Sequence, residues 1–111
     1  MKIQMLKSKI HMARVTDRAK EYDGSITIDR HLAELADLRE FEKVLVADVD
    51  TGNRFETYVI YGGEGEICVN GAAAELVRVG DRVIIMSFGL VEPEEVITPV
   101  VVRVDEKNRP L

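Results

Sequence analysis

The peptide between Gly24 and Ser25 is where residue types alone could do chemistry in this chain. A serine hydroxyl can attack the carbonyl of the residue before it and convert the amide into an ester. Glycine on the acyl side leaves that carbonyl sterically open and lets a turn adopt a strained geometry. The tetrahedral oxyanion needs hydrogen-bond donors, and Thr57 and Asn70 are candidates. Elimination from the ester leaves a dehydroalanine, whose hydrolysis releases ammonia and leaves a pyruvoyl ketone at the new N-terminus. Taken alone, Asp23-Gly24-Ser25 is also an ordinary turn sequence.

Three further groups could bind or move protons. Arg54 and Tyr58 lie four residues apart and share a face if their segment is a strand. Arginine suits bidentate carboxylate binding, and tyrosine can donate or accept a proton. Lys9 and His11 share a face in the same way and could hold an acidic ligand and manage a proton. Asn70-Gly71-Ala72-Ala73-Ala74 pairs a helix-capping residue with a run of small side chains, which lets a ligand approach backbone. Each group also reads as ordinary structure: a surface arginine beside a half-buried tyrosine, a polar strand face, a capped helix. His31 has no evident partner and reads as surface.

The elements that must position these residues are mostly strands. The stretch from Gln4 to Thr16 reads as a long first strand, with Lys7, Lys9, His11, Ala13 and Val15 on one face and Leu6, Ser8, Ile10 and Met12 on the other. Ser25 to Ile28 reads as a short strand, followed by a helix with Asp29 as N-cap and Leu32, Leu35, Ala36 and Leu38 as its apolar stripe. Lys43 to Val49 and Arg54 to Tyr61 form a hairpin around Asp50-Thr51-Gly52-Asn53. Ile67 to Val69 is a strand, Asn70 caps a brief helix through Val77, and Arg82 to Phe88 and Val100 to Val104 are the last strands. Many short strands without a βαβ rhythm predict a small mainly β barrel with short helices.

Composition fits one domain of 111 residues, 46% hydrophobic and 32% charged, with no apolar run long enough to span a membrane and no signal segment. The expectation is a cytoplasmic protein. Cys68 is the single cysteine, sits in an apolar run, and reads as a buried thiol rather than a nucleophile. No set of residues has metal-ligand spacing, so no metal is expected. The net charge is −5, yet Lys2, Lys7, Lys9, Arg14, Arg18 and Lys20 face only Asp17 within the first 20 residues. That basic strand could bind an anion or be a solvated edge.

Five blocks taken together resemble the pyruvoyl-dependent aspartate α-decarboxylases. They are Met5-Leu6-Lys7-Ser8-Lys9-Ile10-His11, Tyr22-Asp23-Gly24-Ser25-Ile26-Thr27-Ile28-Asp29, Thr51-Gly52-Asn53-Arg54-Phe55-Glu56-Thr57-Tyr58, Val69-Asn70-Gly71-Ala72-Ala73-Ala74, and Gly80 to Phe88. The resemblance implies a double-psi β-barrel, a homotetramer with active sites at subunit interfaces, and self-cleavage into chains 1–24 and 25–111. It implies a covalent pyruvoyl cofactor made from Ser25, which forms a Schiff base with L-aspartate and yields β-alanine for pantothenate and coenzyme A synthesis. It implies that Lys9, His11, Tyr22, Arg54, Thr57, Asn70, Gly71, Ala72 and Ala73 surround the substrate. Arg54 would grip the side-chain carboxylate, Tyr58 would be the proton donor, and Thr57 would serve self-processing. Two rival readings predict an unused Ser25: a nucleic-acid-binding barrel using the basic strand, which the acidic remainder disfavours, and an uncleaved binding or assembly module.

Overall fold

Period-two apolar patterns put nearly half of this chain in strands, and a computed structural model describes residues 1–21 and 23–111. The implied substrate neighbour Tyr22 lies outside the described residues. The strands are β1 (Ile3–Arg14), β2 (Asp17–Ala19), β3 (Ser25–Asp29), β4 (Lys43–Asp48), β5 (Arg54–Gly62), β6 (Ile67–Asn70), β7 (Arg82–Val91) and β8 (Val100–Arg103). One α-helix, α1 (Arg30–Leu35), follows β3, and a 3₁₀ helix (Gly71–Leu76) follows β6. The fold is mainly β with short helices.

The sheet order is β2-β6-β3-β5-β4-β7-β1-β8. β1 and β2 are consecutive in the chain, yet β2 pairs with β6 while β1 pairs with β7 and β8. Two residues, Val15 and Thr16, separate them, so the sheet must curl until its two margins meet. Thr16 N donates to Ile67 O at 2.8 Å and Val15 N donates to Asp81 O at 2.9 Å across that junction. The enclosed core holds Ile10, Ile26, Ile28, Leu32, Val46, Val59, Ile67, Val69 and Ile85, all fully buried.

The unbroken alternation expected along the first strand is overturned. The β1–β7 register slips between Leu6 and Ser8 and again between Ile10 and Ala13, where Met12 adopts a φ of 65°. The second bulge reverses the phase of the strand. Ser8, Ile10, Ala13 and Val15 are therefore the buried set, and Ala13 and Val15 do not share a face with Lys9 and His11. Lys7 is not a free cation either: its ammonium meets Glu42 Oε2 at 2.9 Å and the Asp37 carbonyl.

Asp29 caps α1 as its type predicts, accepting from Leu32 N at 3.2 Å. The β4–β5 hairpin forms around the expected turn, with Gly52 at φ 82°. Asp48 Oδ1 accepts from Asp50 N at 2.8 Å and Thr51 N at 3.1 Å, which fixes the start of that turn. No described helix is long and apolar enough to cross a membrane.

Candidate active site

Ser25 opens β3 and is fully buried. β3 runs antiparallel to β6 with Ser25 opposite Asn70. That pairing, 45 residues apart in sequence, brings the Asn70 carboxamide onto the serine. Asn70 Nδ2 donates to Ser25 Oγ at 2.8 Å and to Thr27 Oγ1 at 3.0 Å. Asn70 Oδ1 accepts from the Cys68 thiol at 3.2 Å. The four side chains make one buried neutral chain of donors and acceptors.

This corrects the reading of Asn70 as a side-chain helix cap. It stands at the N-cap position, but its side chain makes no capping bond because the carboxamide is turned to Ser25. The turn out of β6 is made instead by Gly71, at φ 75°. Gly71 is buried, Ala73 is half-buried and Ala72 is exposed. Gly24 is exposed and a side chain there would meet nothing within 4 Å. The strained turn is not found, since Gly24 is absent from the residues of positive φ.

β5 lies beside β3 in parallel, with Ile26 opposite Val59, so the start of β3 runs along Thr57 and Tyr58. Val59 points into the core; Tyr58, Glu56 and Arg54 therefore point outward. Tyr58 is half-buried and packs on Phe41 with ring centroids 6.4 Å apart. Glu56 is held by Lys43 at 2.9 Å, whereas Arg54 is exposed and takes no carboxylate partner among the described residues.

Lys9 and His11 stand elsewhere. β5, β4 and β7 separate β3 from β1. One cross-strand row runs Lys9, Met86, Leu45, Glu56. Three inter-strand steps of about 4.8 Å set Lys9 about 14 Å from Glu56 along the curved sheet. His11 lies opposite Arg103 of β8, a cation that local sequence spacing does not reveal. The His11 pKa is lowered, first by burial and then by Lys9 and Arg103, and its Nδ1 is buried with no partner among the described residues. His31 is exposed, in line with its reading as surface.

A second polar cluster was not legible as a group. Asp48, Asp50 and Asp81 bring carboxylate oxygens within 4.8 Å of one another. Asp50 is already engaged by Arg82, whose guanidinium lies 2.7 Å away and holds the Asp50 carboxyl below its usual range.

The chain matches the profile of the aspartate decarboxylase family over residues 1–111. An aspartate 1-decarboxylase of Acetivibrio thermocellus is 58% identical over 96% of this chain and 88% of the relative. One from Kosmotoga olearia is 54% identical over 96% of this chain and 95% of the relative, and one from Lactiplantibacillus plantarum is 55% identical over 98% and 87%. With the whole chain matched and these relatives sharing more than half its residues, the chain belongs to the aspartate decarboxylase family.

Proposed function

We propose that this protein is an aspartate 1-decarboxylase, which removes the α-carboxylate of L-aspartate as carbon dioxide and leaves β-alanine for pantothenate and coenzyme A synthesis. We further propose that its cofactor is a pyruvoyl group made from Ser25 by cleavage after Gly24, giving chains 1–24 and 25–111. The observation that carries this reading is the Asn70 carboxamide on Ser25 Oγ, at a buried residue whose acyl neighbour Gly24 is exposed and open. A buried, neutral serine whose hydroxyl oxygen is held by Asn70 is a poor surface turn and a well-held nucleophile.

The self-cleavage chemistry balances on this chain's own atoms. Ser25 Oγ bonds to the Gly24 carbonyl carbon, the C–N bond breaks, and the hydroxyl proton passes to the departing nitrogen. Loss of the Ser25 α-proton then breaks the Cβ–Oγ bond, and Gly24 leaves as a carboxylate. Water replaces the nitrogen, which departs as ammonia. Asn70 Nδ2, donating to Oγ, would stabilise the negative charge that gathers on that oxygen as Gly24 leaves as a carboxylate.

When bound, a pyruvoyl ketone supplies an electron sink for the pair released with carbon dioxide. Arg54, with no carboxylate partner among the described residues, is suited to grip the substrate's side-chain carboxylate in a forked pair. Tyr58 is oriented by Phe41 and would return a proton to the α-carbon. Lys9 supplies a second cation, and neutral His11 beside it can accept a hydrogen bond. These two lie strands away from Ser25 in one chain, which supports a homotetramer whose sites are completed by a neighbouring subunit. The exposed apolar arm of Ile3, Met5, Phe88 and Leu90 offers surface for such an assembly. A free Cys68 thiol accords with a cytoplasmic enzyme.

Denaturing mass spectrometry tests the reading. Two fragments meeting at Gly24/Ser25, the larger with a blocked carbonyl N-terminus, are expected, and Ser25→Ala should remain one inactive chain. An uncleaved wild-type chain that still decarboxylates aspartate would sink it. Arg54→Ala should be cleaved normally yet lose about 10²–10³-fold in kcat/KM for aspartate, since a charged contact of a few kcal/mol is removed. Unchanged kinetics would take Arg54 out of the site.

A further inference from the structure

Asn70 can present either end of its carboxamide to Ser25, and the two ends do opposite things. With Nδ2 forward, the serine accepts a hydrogen bond and keeps its own proton to give away. With Oδ1 forward, the serine must donate its proton to Asn70, and that proton is no longer directed to the departing nitrogen. Ser25 and Thr27 cannot choose between these orientations, because a hydroxyl can donate or accept. The neighbour on the far side can. Cys68 Sγ lies 3.2 Å from Asn70 Oδ1, and its S–H is a donor while its sulfur is a weak acceptor. Cys68 sits on β6 two residues before Asn70, so both side chains point to the same face of the strand.

We propose that Cys68 is a positioning residue for self-cleavage: its thiol, donating to Asn70 Oδ1, holds the carboxamide with Nδ2 on Ser25 Oγ. The inference rests on the reading of Ser25 as the self-cleaving nucleophile and adds the group that orients its partner. Two features support it. Cys68 is 7% exposed and Asn70 4%, so water has little access to replace the thiol as donor. Burial raises the thiol pKa, with Asp17 and Glu66 adding to the shift, so the group stays protonated and able to donate. The role needs a hydrogen-bond donor and not a nucleophile, which also accounts for an inert cysteine beside a reactive serine.

The test follows the appearance of the two fragments over time in freshly purified wild-type, Cys68→Ser, Cys68→Ala and Cys68→Val chains, with a thermal melt of each to keep every assay below its transition. Serine keeps a donor and should cleave within about threefold of wild type, while alanine and valine lose it and should slow by about fivefold to tenfold, the scale of one ordinary hydrogen bond. Alanine leaves space and valine more than fills it, so an equal slowing in both is not a cavity effect. Cleavage of the alanine and valine variants at the wild-type rate overturns the proposal. So does serine slowing as much as alanine, which would make the effect one of packing. In an Asn70→Ala background, Cys68→Ala should add nothing, and added slowing would place its action elsewhere. A wild-type chain that is never cut removes the reading of Ser25 itself, and this inference with it.

Discussion

Two polar clusters, each with a buried side chain at its centre, sit in this small barrel, and they are built on opposite principles. Around Ser25, every group is neutral and each side-chain donor and acceptor of Asn70 is matched, running from Cys68 through Asn70 to Ser25 and Thr27. Around Asp48, three carboxyls crowd together, and Asp48 Oδ2 is buried with no partner among the described residues. The first cluster holds the Ser25 hydroxyl without a net charge to desolvate. The second fixes a turn, through Asp48 Oδ1, at the cost of burying an acid beside Asp81. On the function proposed for Ser25, full satisfaction marks the cluster with chemistry to perform, and the cluster left partly unsatisfied serves structure.

The sharpest way to break that contrast is Asn70→Ala. If the neutral chain exists to hold Ser25, removing its central member should slow fragment formation by about 10²–10³-fold, the scale of losing one well-placed donor to a developing charge. The melting temperature should move far less than the rate. A variant that is cut at the wild-type rate would reduce the chain of hydrogen bonds to packing, and the two clusters would no longer differ in purpose.

How much of each cluster the sequence makes legible follows from how local its contacts are. The hairpin is readable because Asp50-Thr51-Gly52-Asn53 is a self-contained turn, and α1 because Asp29 caps it three residues away. Gly24-Ser25 is readable as a chemical pair. The link from Asn70 to Ser25 is not, because it depends on β3 and β6 pairing across 45 residues, and Asn-Gly before small residues reads first as a helix start. Cys68 reads as a bland buried thiol for the same reason. The basic first strand shows the limit of periodicity: the bulge at Met12 is set by β7, so the phase shift between His11 and Ala13 cannot be read along β1 alone. Asp81 joins Asp48 only because β7 starts beside the end of β4.

The smallest expected effect sharpens the contrast from the other side, at Asp48. Its carboxyl pKa is raised, chiefly by burial and then by the neighbouring Asp81 carboxyl, against a smaller opposing pull from the Asp50 and Thr51 amides. A carboxyl with a raised folded pKa binds more protons folded than unfolded. Stability therefore falls as pH rises from the ordinary carboxyl range through the raised value, and the loss persists at neutral pH. Asp48→Asn keeps an oxygen for the Asp50 and Thr51 amides, has no proton to lose, and offers an amide N–H toward Asp81. It should stabilise the protein by about 1–2 kcal/mol near neutral pH, seen as a higher melting temperature, with the advantage shrinking as pH falls toward the ordinary carboxyl range. Fragment formation at Ser25 should be unaffected, because the Asp48 cluster shares no hydrogen bond with the Asn70 chain. A lower melting temperature at neutral pH, or a gain that does not change with pH, would mean that Asp48 is better satisfied than its unpartnered oxygen shows, and the two clusters would be alike after all.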